Sequence, residues 1–155
     1  MISHRLATAD DRRFVVSAWS SSFKGSDTAG MIFSDDWARI MHEQIGRLLD
    51  RPGVRTHVAV DSDDRAFIYG FITADPAHPR PENAPIPVVF YLYVKEPYRR
   101  SGCARGLFRA AGIDPSGPFL YACKTSIVTI LQPKIPLARW DPRVARLPKD
   151  KEPRR

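Results

Sequence analysis

The 155-residue sequence has only two cysteines, Cys103 and Cys123, and no long apolar run. Two cysteines are too few for a disulfide framework or a metal site, so we expect ordinary buried thiols, a reducing compartment and no bound metal. The apolar runs are the length of strands and fall short of the roughly 18 to 20 residues that a membrane-spanning helix needs. The N-terminus also lacks the charged-then-apolar pattern of a signal peptide. These absences predict a cytoplasmic protein without a membrane partner.

Positive charge is in excess, and most of the excess lies near the C-terminus. The formal net charge is +7, and eight basic and three acidic residues between positions 134 and 155 leave five of those charges there. Residues 148–155 contain no apolar residue except proline, which predicts a basic, disordered tail after a single domain spanning residues 1–147. The other interpretation is an arm that binds nucleic acid, although no aromatic stacking pattern supports it.

The spacing of the apolar residues predicts the element order β-α-α-β-β-β-α-β. Between the third and fourth strands, residues 75–87 hold five prolines. Because proline interrupts both helices and central strands, this segment predicts an exposed connection. A short helix over 125–132 is a further candidate. The predicted elements are a strand over 2–7, a helix that begins after Thr8, a helix over 34–51, strands over 54–61, 66–74 and 88–94, a helix over 102–111 and a strand over 119–124.

Residues 94–108 join a predicted strand to a predicted helix through a turn with Arg99, Gly102 and Ala104 in an R-x-x-G-x-A spacing. The first N–H groups of a helix have no helical partner, and the helix dipole favours negative charge beside them. Gly102 has no side chain to keep a ligand away and can adopt a positive φ. The turn therefore predicts a phosphate cradle with nearby positive charge from Arg99, Arg100 and Arg105. The alternative is a basic strand-to-helix turn with a structural role only.

This segment resembles the acyl-CoA-binding motif of the GNAT-type N-acetyltransferases, in which a strand is followed by [Q/R]-x-x-G-x-[G/A] and a helix. The Pro97-Tyr98-Arg99 sequence is similar to the residues that commonly precede the motif. The chain departs from the family at Arg100 and Cys103, where glycine and an aliphatic residue are common. The resemblance covers about residues 2 to 132. It implies a single α/β (α+β) domain, whose mixed, mostly antiparallel central sheet has splayed fourth and fifth strands and flanking helices.

The resemblance also implies where acetyl-CoA binds and what the protein does. In the family, the pantetheine arm lies between the splayed strands and pairs with the fourth strand, while the diphosphate meets the helix N-terminus. The implied activity is direct transfer of an acetyl group to a primary amine of a small molecule, peptide or protein. The implied CoA contacts, mostly through the backbone, are Leu92, Tyr93, Val94, Arg99, Arg100, Ser101, Gly102, Cys103, Ala104 and Arg105.

The residues that would complete the chemistry are less evident. Many relatives use a carboxylate or an ordered water near the fourth strand as base, and a tyrosine after the fifth strand as acid. This chain has no carboxylate in its fourth strand, and Lys124, Thr125 and Ser126 stand near the position of that tyrosine. Tyr121 precedes it and is predicted to pack in the core. We predict Glu96 and Tyr93 as catalytic residues, with His57 and Asp75 as weaker candidates. The alternative is a catalytically weak CoA-binding or basic interaction protein on the same scaffold.

Two long connections are predicted to form the acceptor pocket. The loop between the first two helices is flanked by aromatic residues, and the proline-rich segment carries polar ones; these are Trp19, Phe23, Phe33 and Trp37, and His78, Arg80 and Glu82. For Trp19 and Trp37 we favour core packing, since both lie on apolar helix stripes. The overall layout also resembles a group of GNAT-like proteins carried by bacteriophages, which implies a host-cytoplasmic setting. Both a monomer and a homodimer are compatible with the sequence.

Overall fold

A computed structural model of the protein describes residues 1–22, 34–123 and 132–145. The predicted tail over 148–155 lies outside the described residues, as does all but the last residue of the predicted helix over 125–132. None of the helices in the described ranges combines the length and hydropathy that crossing a membrane requires. In chain order, the elements are β1 (Ile2–Leu6), α1 (Arg12–Ser21), α2 (Ser34–Leu49), β2 (Arg55–Asp61), β3 (Ile68–Arg80), β4 (Asn83–Val94), α3 (Cys103–Ala110), β5 (Phe119–Tyr121) and β6 (Ala138–Trp140).

The six strands form one sheet in the order β1-β2-β3-β4-β5-β6. Neighbouring strands from β1 to β4 are antiparallel, whereas β5 is parallel to both β4 and β6. This arrangement confirms the predicted mixed, mostly antiparallel sheet. Strand β6 was not predicted, because three residues with only Ala138 buried give no readable alternation.

The core lies on both faces of the sheet. On one face, α1 and α2 pack on the strands through Val15, Trp19, Ile45 and Leu48. On the other face, α3 packs through Leu107 and Phe108. The predicted core role of Trp19 is confirmed, since its side chain is buried against Tyr91; the side chain of Trp37 lies outside the described residues.

The chain enters α1 through a short turn that is stabilised by charge. The backbone N–H of Thr8 donates to Oδ2 of Asp11 at 2.7 Å, and Arg5 donates to the same carboxylate at 2.6 and 3.1 Å. A 3-10 turn over Ala9–Asp11 precedes α1, so the helix begins at Arg12 instead of directly after Thr8. Hydrogen bonds from Arg5 lower the pKa of Asp11, which is only 6% exposed.

The prediction that residues 75–87 form a connection is wrong. Strands β3 and β4 continue through this segment and meet at a turn over Pro81 and Glu82. Strand β2 pairs with β3 only as far as Ala74, and β5 pairs with β4 only from Val88. Within the described chain, the outer part of the hairpin therefore has no further strand on either side, and proline there removes no ladder hydrogen bond from a neighbour. The pairing between β3 and β4 shifts its register on either side of His78.

Strands β4 and β5 share only a short stretch of pairing. Val88 is opposite Leu120 and Val89 is opposite Tyr121, whereas β4 continues to Val94. The described part of β5 ends at Tyr121 and does not follow β4 further. We call the edge of β4 from Phe90 to Val94 the wedge. Its closed end is at Phe90, next to the residues that pair with β5, and its open end is at Val94. The wedge confirms the predicted splay of these two strands.

Candidate functional site

The open end of the wedge leads into the N-terminus of α3. Gly102 is the N-cap residue with φ 83°, and the first helical hydrogen bond runs from the N–H of Gly106 to the carbonyl of Gly102 at 3.0 Å. The amides of Cys103, Ala104 and Arg105 precede that bond and therefore have no partner within the helix. A Cβ atom on Gly102 would meet no heavy atom within 4 Å. We call Gly102 and these three amides the cradle, which opens onto free space.

The turn before the cradle is held by local hydrogen bonds and one unusual conformation. Arg100 has φ 67°, in the left-handed region that favours glycine. The motif that this segment resembles often has glycine at this position, whereas this chain has a charged side chain in the same left-handed conformation. The hydroxyl of Ser101 donates to the carbonyl of Tyr98, and the N–H of Arg99 donates to the carbonyl of Glu96 at 3.2 Å. These contacts fix the backbone that presents the cradle.

Positive charge surrounds the cradle. The side chains of Arg99, Arg100 and Arg105 are exposed, and none of them forms an ion pair within the described part of the chain. The Nε of Arg99 donates to the carbonyl of Val94 at 3.1 Å, which ties the turn to the end of β4. Three unpaired guanidinium groups beside helix amides favour a ligand with several negative charges.

Cys103 contributes only its backbone to this site. Its side chain is 2% exposed and packs in the core beneath α3, and burial raises the pKa of the thiol to about 11. Burial raises the pKa of Cys123 to about 11 as well. Thiols that stay protonated at neutral pH are weak nucleophiles.

The backbone of the wedge alternates between its two neighbours. A Cβ on Gly70 of β3 would collide with the carbonyl oxygen of Tyr93, so the backbone of Tyr93 faces β3. Because successive residues of a strand direct their polar groups to opposite edges, Leu92 and Val94 face the wedge. The carbonyl of Val94 already accepts from Arg99. Within the described part of the chain, Leu92 is therefore the residue among 92–94 whose N–H and C=O are both left for a ligand arm.

The two predicted catalytic side chains lie apart from each other. The ring of Tyr93 is half-buried on the α1 side, with centroids 6.3 Å from Phe14 and 5.6 Å from Phe71. Glu96 is exposed in the short helix after β4, next to the cradle. At about 3.3 Å per strand residue, β4 runs about 13 Å from Phe90 at the closed end of the wedge to Val94, and Glu96 lies beyond Val94.

The two weaker catalytic candidates, His57 and Asp75, also lie on different strands. His57 is half-buried on β2, two strands from the wedge, and burial, Arg55 and His4 lower its pKa. Asp75 is 4% exposed on β3 and lies beside His78, with 3.5 Å between Oδ2 and Nδ1. The sequence predicted His78 only as a residue of the acceptor pocket. Because its contact with Asp75 forms where a connection was predicted, no strand periodicity pointed to the pair.

Two tyrosines lie near the closed end. Tyr91 stacks on Trp19 with centroids 4.7 Å apart, and burial raises its pKa to about 12. Tyr121 is buried in the core on the α3 side, as the sequence predicted. Among the described residues, no three His, Cys, Asp or Glu side chains lie close enough together to hold a metal ion.

No protein-family model matches the sequence, and no curated protein matches it either. Solved structures do resemble the fold. A Pyrococcus furiosus protein named as an acetyl transferase superimposes with a TM-score of 0.64 at 14% identity, over 86% of this chain and 91% of that one. A Corynebacterium glutamicum structure described as histone acetyltransferase HPA2 and related acetyltransferase gives 0.59 at 16% identity, over 86% and 82%. An aminoglycoside N-acetyltransferase in complex with CoA gives 0.58 at 14% identity, over 99% and 95%.

Proposed function

Because the chain has the fold of the GNAT acetyltransferases, we propose that it transfers an acetyl group from acetyl-CoA directly to a primary amine. The observation that carries this proposal is the cradle at the open end of the wedge, where Gly102 with φ 83° begins α3. The first amides of α3 lack helical partners, and the three nearby arginines form no ion pair with a described residue, which matches a diphosphate. A strand edge that no described strand pairs with leads away from them and matches an amide-containing arm.

Different residues of the chain would bind different parts of acetyl-CoA. The amides of Cys103, Ala104 and Arg105, with Ser101 and Gly102 beside them, would hold the diphosphate, and Arg99, Arg100 and Arg105 would neutralise it. Leu92 would pair with the pantetheine arm through its backbone, while Val94 and Tyr93 shape the edge. In this proposal the diphosphate would lie at the open end of the wedge and the thioester toward the closed end.

Bound acetyl-CoA supplies an activated acyl carbon, so the protein needs to orient a neutral amine and accept one proton. Glu96 and Tyr93 stay predictions for this chemistry. Glu96 lies beside the cradle, and the ring of Tyr93 packs among Phe14 and Phe71. The acceptor is an amine of unspecified type; the named activities of the similar structures suggest aminoglycosides and histone tails as first probes.

A second candidate function is CoA binding without efficient catalysis. Two observations favour it: β4 carries no carboxylate, and Tyr121 is buried in the core. This candidate shares the cradle with the first, so only turnover separates the two.

Titration of the purified protein with acetyl-CoA tests the cradle, and thiol release with kanamycin or a histone H3 tail peptide tests transfer. We expect saturable binding of acetyl-CoA and thiol release that depends on the amine. Absence of binding would refute both candidates. Binding without amine-dependent thiol release would favour the second candidate over the first.

A further inference from the structure

A buried carboxylate and a histidine lie beside the closed end of the wedge. We propose that His78 is the proton acceptor for the amine and that Asp75 is its positioning residue. This inference rests on the proposed acetyl transfer. It assigns the base to β3, the neighbour of the wedge strand, instead of to the end of β4.

The position of the thioester limits where a base can act. A pantetheine arm that starts at the cradle and follows β4 from Val94 delivers its sulfur toward Phe90, where the β4–β5 pairing begins. The ring of Phe90 is completely buried. It meets the imidazole of His78 edge-on at 6.3 Å between centroids and the guanidinium of Arg51 at 5.7 Å. His78 is therefore next to the closed end, whereas Glu96 is at the opposite end of the wedge.

The contacts of His78 leave one ring nitrogen free. Nδ1 is buried and lies 3.5 Å from Oδ2 of Asp75, a close contact that falls short of a hydrogen bond, and it has no hydrogen-bond partner among the described residues. The same carboxylate accepts the N–H of Ala77 at 3.0 Å through Oδ1, which fixes its orientation. Nε2 is neither buried nor hydrogen-bonded to any described residue. A proton on Nδ1 that points to Asp75 leaves the lone pair on Nε2 to accept a proton.

The charges around this pair come from two elements. Asp75 lies on the same strand as His78, and Arg51 approaches from the turn after α2. Burial lowers the pKa of Arg51, and the charge of Asp75 opposes that shift. Arg51 is anchored by a 2.7 Å hydrogen bond to the carbonyl of Val144. Asp75 therefore has a cation on one side and an imidazole on the other.

The carboxylate of Asp141 lies at the same level of the sheet. The N–H of Asp141 donates to the carbonyl of Tyr121 at 3.0 Å, which places this residue beyond β5. Its two oxygens accept from Arg143 at 2.9 and 3.0 Å, and these hydrogen bonds lower its pKa. A carboxylate with a lowered pKa that is already paired is a poor proton acceptor. His78 is the better candidate.

The reaction balances with these groups alone. The amine nitrogen forms a bond to the acetyl carbon, and the bond from that carbon to sulfur breaks. One amine proton passes to Nε2 of His78, and the CoA thiolate receives a proton that His78 returns through water. No net proton, oxidant or further reactant is needed.

The test compares His78→Ala with His42→Ala, the same change at an exposed position on α2. We expect His78→Ala to lower kcat/KM about 100-fold, with acetyl-CoA affinity unchanged and with partial recovery in added imidazole. His42→Ala should match the wild type with and without imidazole. Asp75→Asn should lower kcat about ten-fold with little change in KM for the amine.

The outcomes separate this inference from the proposed function. A wild-type protein that transfers acetyl groups, together with a His78→Ala variant that keeps at least a third of its kcat/KM, overturns the base assignment only. So does a loss in His78→Ala that imidazole does not restore. A wild-type protein that transfers no acetyl group overturns the proposed function and the assignment together.

Discussion

Gly102 and Gly112 flank α3 and offer a matched pair of substitutions. Gly102 is the N-cap residue with φ 83°, and Gly112 follows the C-terminal end with φ 73°. At neither position would a Cβ meet a heavy atom within 4 Å. Replacing either glycine with alanine therefore adds the same methyl group in the same strained conformation without a collision. Only Gly102 belongs to the cradle.

The two variants should lose similar stability but different affinity. A left-handed conformation costs an alanine about 1 to 2 kcal/mol, so we expect that loss in the free energy of unfolding for both. In Gly102→Ala the methyl group occupies the space into which the cradle opens and moves a diphosphate away from the amides. Losing one charge-assisted hydrogen bond costs about 1.5 to 3 kcal/mol, which corresponds to an acetyl-CoA affinity about 10- to 100-fold weaker.

Urea unfolding measures the first quantity and calorimetric titration with acetyl-CoA the second. Gly112→Ala should bind acetyl-CoA within about two-fold of the wild type. If both variants bind as the wild type does, the ligand does not contact the cradle. If both lose affinity equally, the effect comes from the stability of α3, and the reasoning from the open space at Gly102 is refuted.

Three further substitutions test other parts of the structure. Arg100→Asn keeps a residue that tolerates a positive φ but removes charge, so acetyl-CoA binding should weaken about three- to ten-fold with little change in urea unfolding; unchanged affinity at low salt would contradict a role in binding. Gly70→Ala should lower the free energy of unfolding by about 3 kcal/mol, because the new Cβ collides with the carbonyl of Tyr93; a loss below about 1 kcal/mol would count against this close approach. Asp11→Asn should cost about 2 kcal/mol at pH 7, since it weakens the hydrogen bonds from Arg5. The lowered pKa of Asp11 means that the wild type keeps this contribution above the unfolded pKa of about 3.9 and loses it as the pH falls through the folded pKa. The difference between the two proteins should therefore shrink in acid unfolding experiments.

The parts of the fold that could be predicted are those whose signal is local. The apolar stripe of α2 and the proline and glycine after it placed this helix to within two residues of its observed end at Leu49. The positive φ of Gly102 was predicted from the turn, and the structure has it. The hairpin over 75–87 could not be predicted in this way, because whether proline fits a strand depends on the absence of a neighbour, which only the sheet order decides.

The candidate site likewise has a part with a local sequence signal, which could be predicted, and a part that depends on strand pairing, which could not. The cradle is contiguous in sequence, so its residues could be identified together. The contact between Asp75 and His78 depends on β3 continuing past Ala74, and their proximity to Phe90 depends on pairing between two strands. The edge toward which the backbone of Tyr93 points could not be predicted either, because it depends on the close approach of Tyr93 to Gly70 on the neighbouring strand.

The outer part of the β3–β4 hairpin also bears on how copies of this protein behave at high concentration. Two strands that extend past their neighbours offer backbone donors and acceptors to any other strand that approaches, which is a common route to aggregation. Here Pro76, Pro79, Pro85 and Pro87 lie along the two arms. Each lacks the N–H that an incoming strand would need. The same prolines that led us to predict a connection from the sequence thus protect the hairpin from edge-to-edge association.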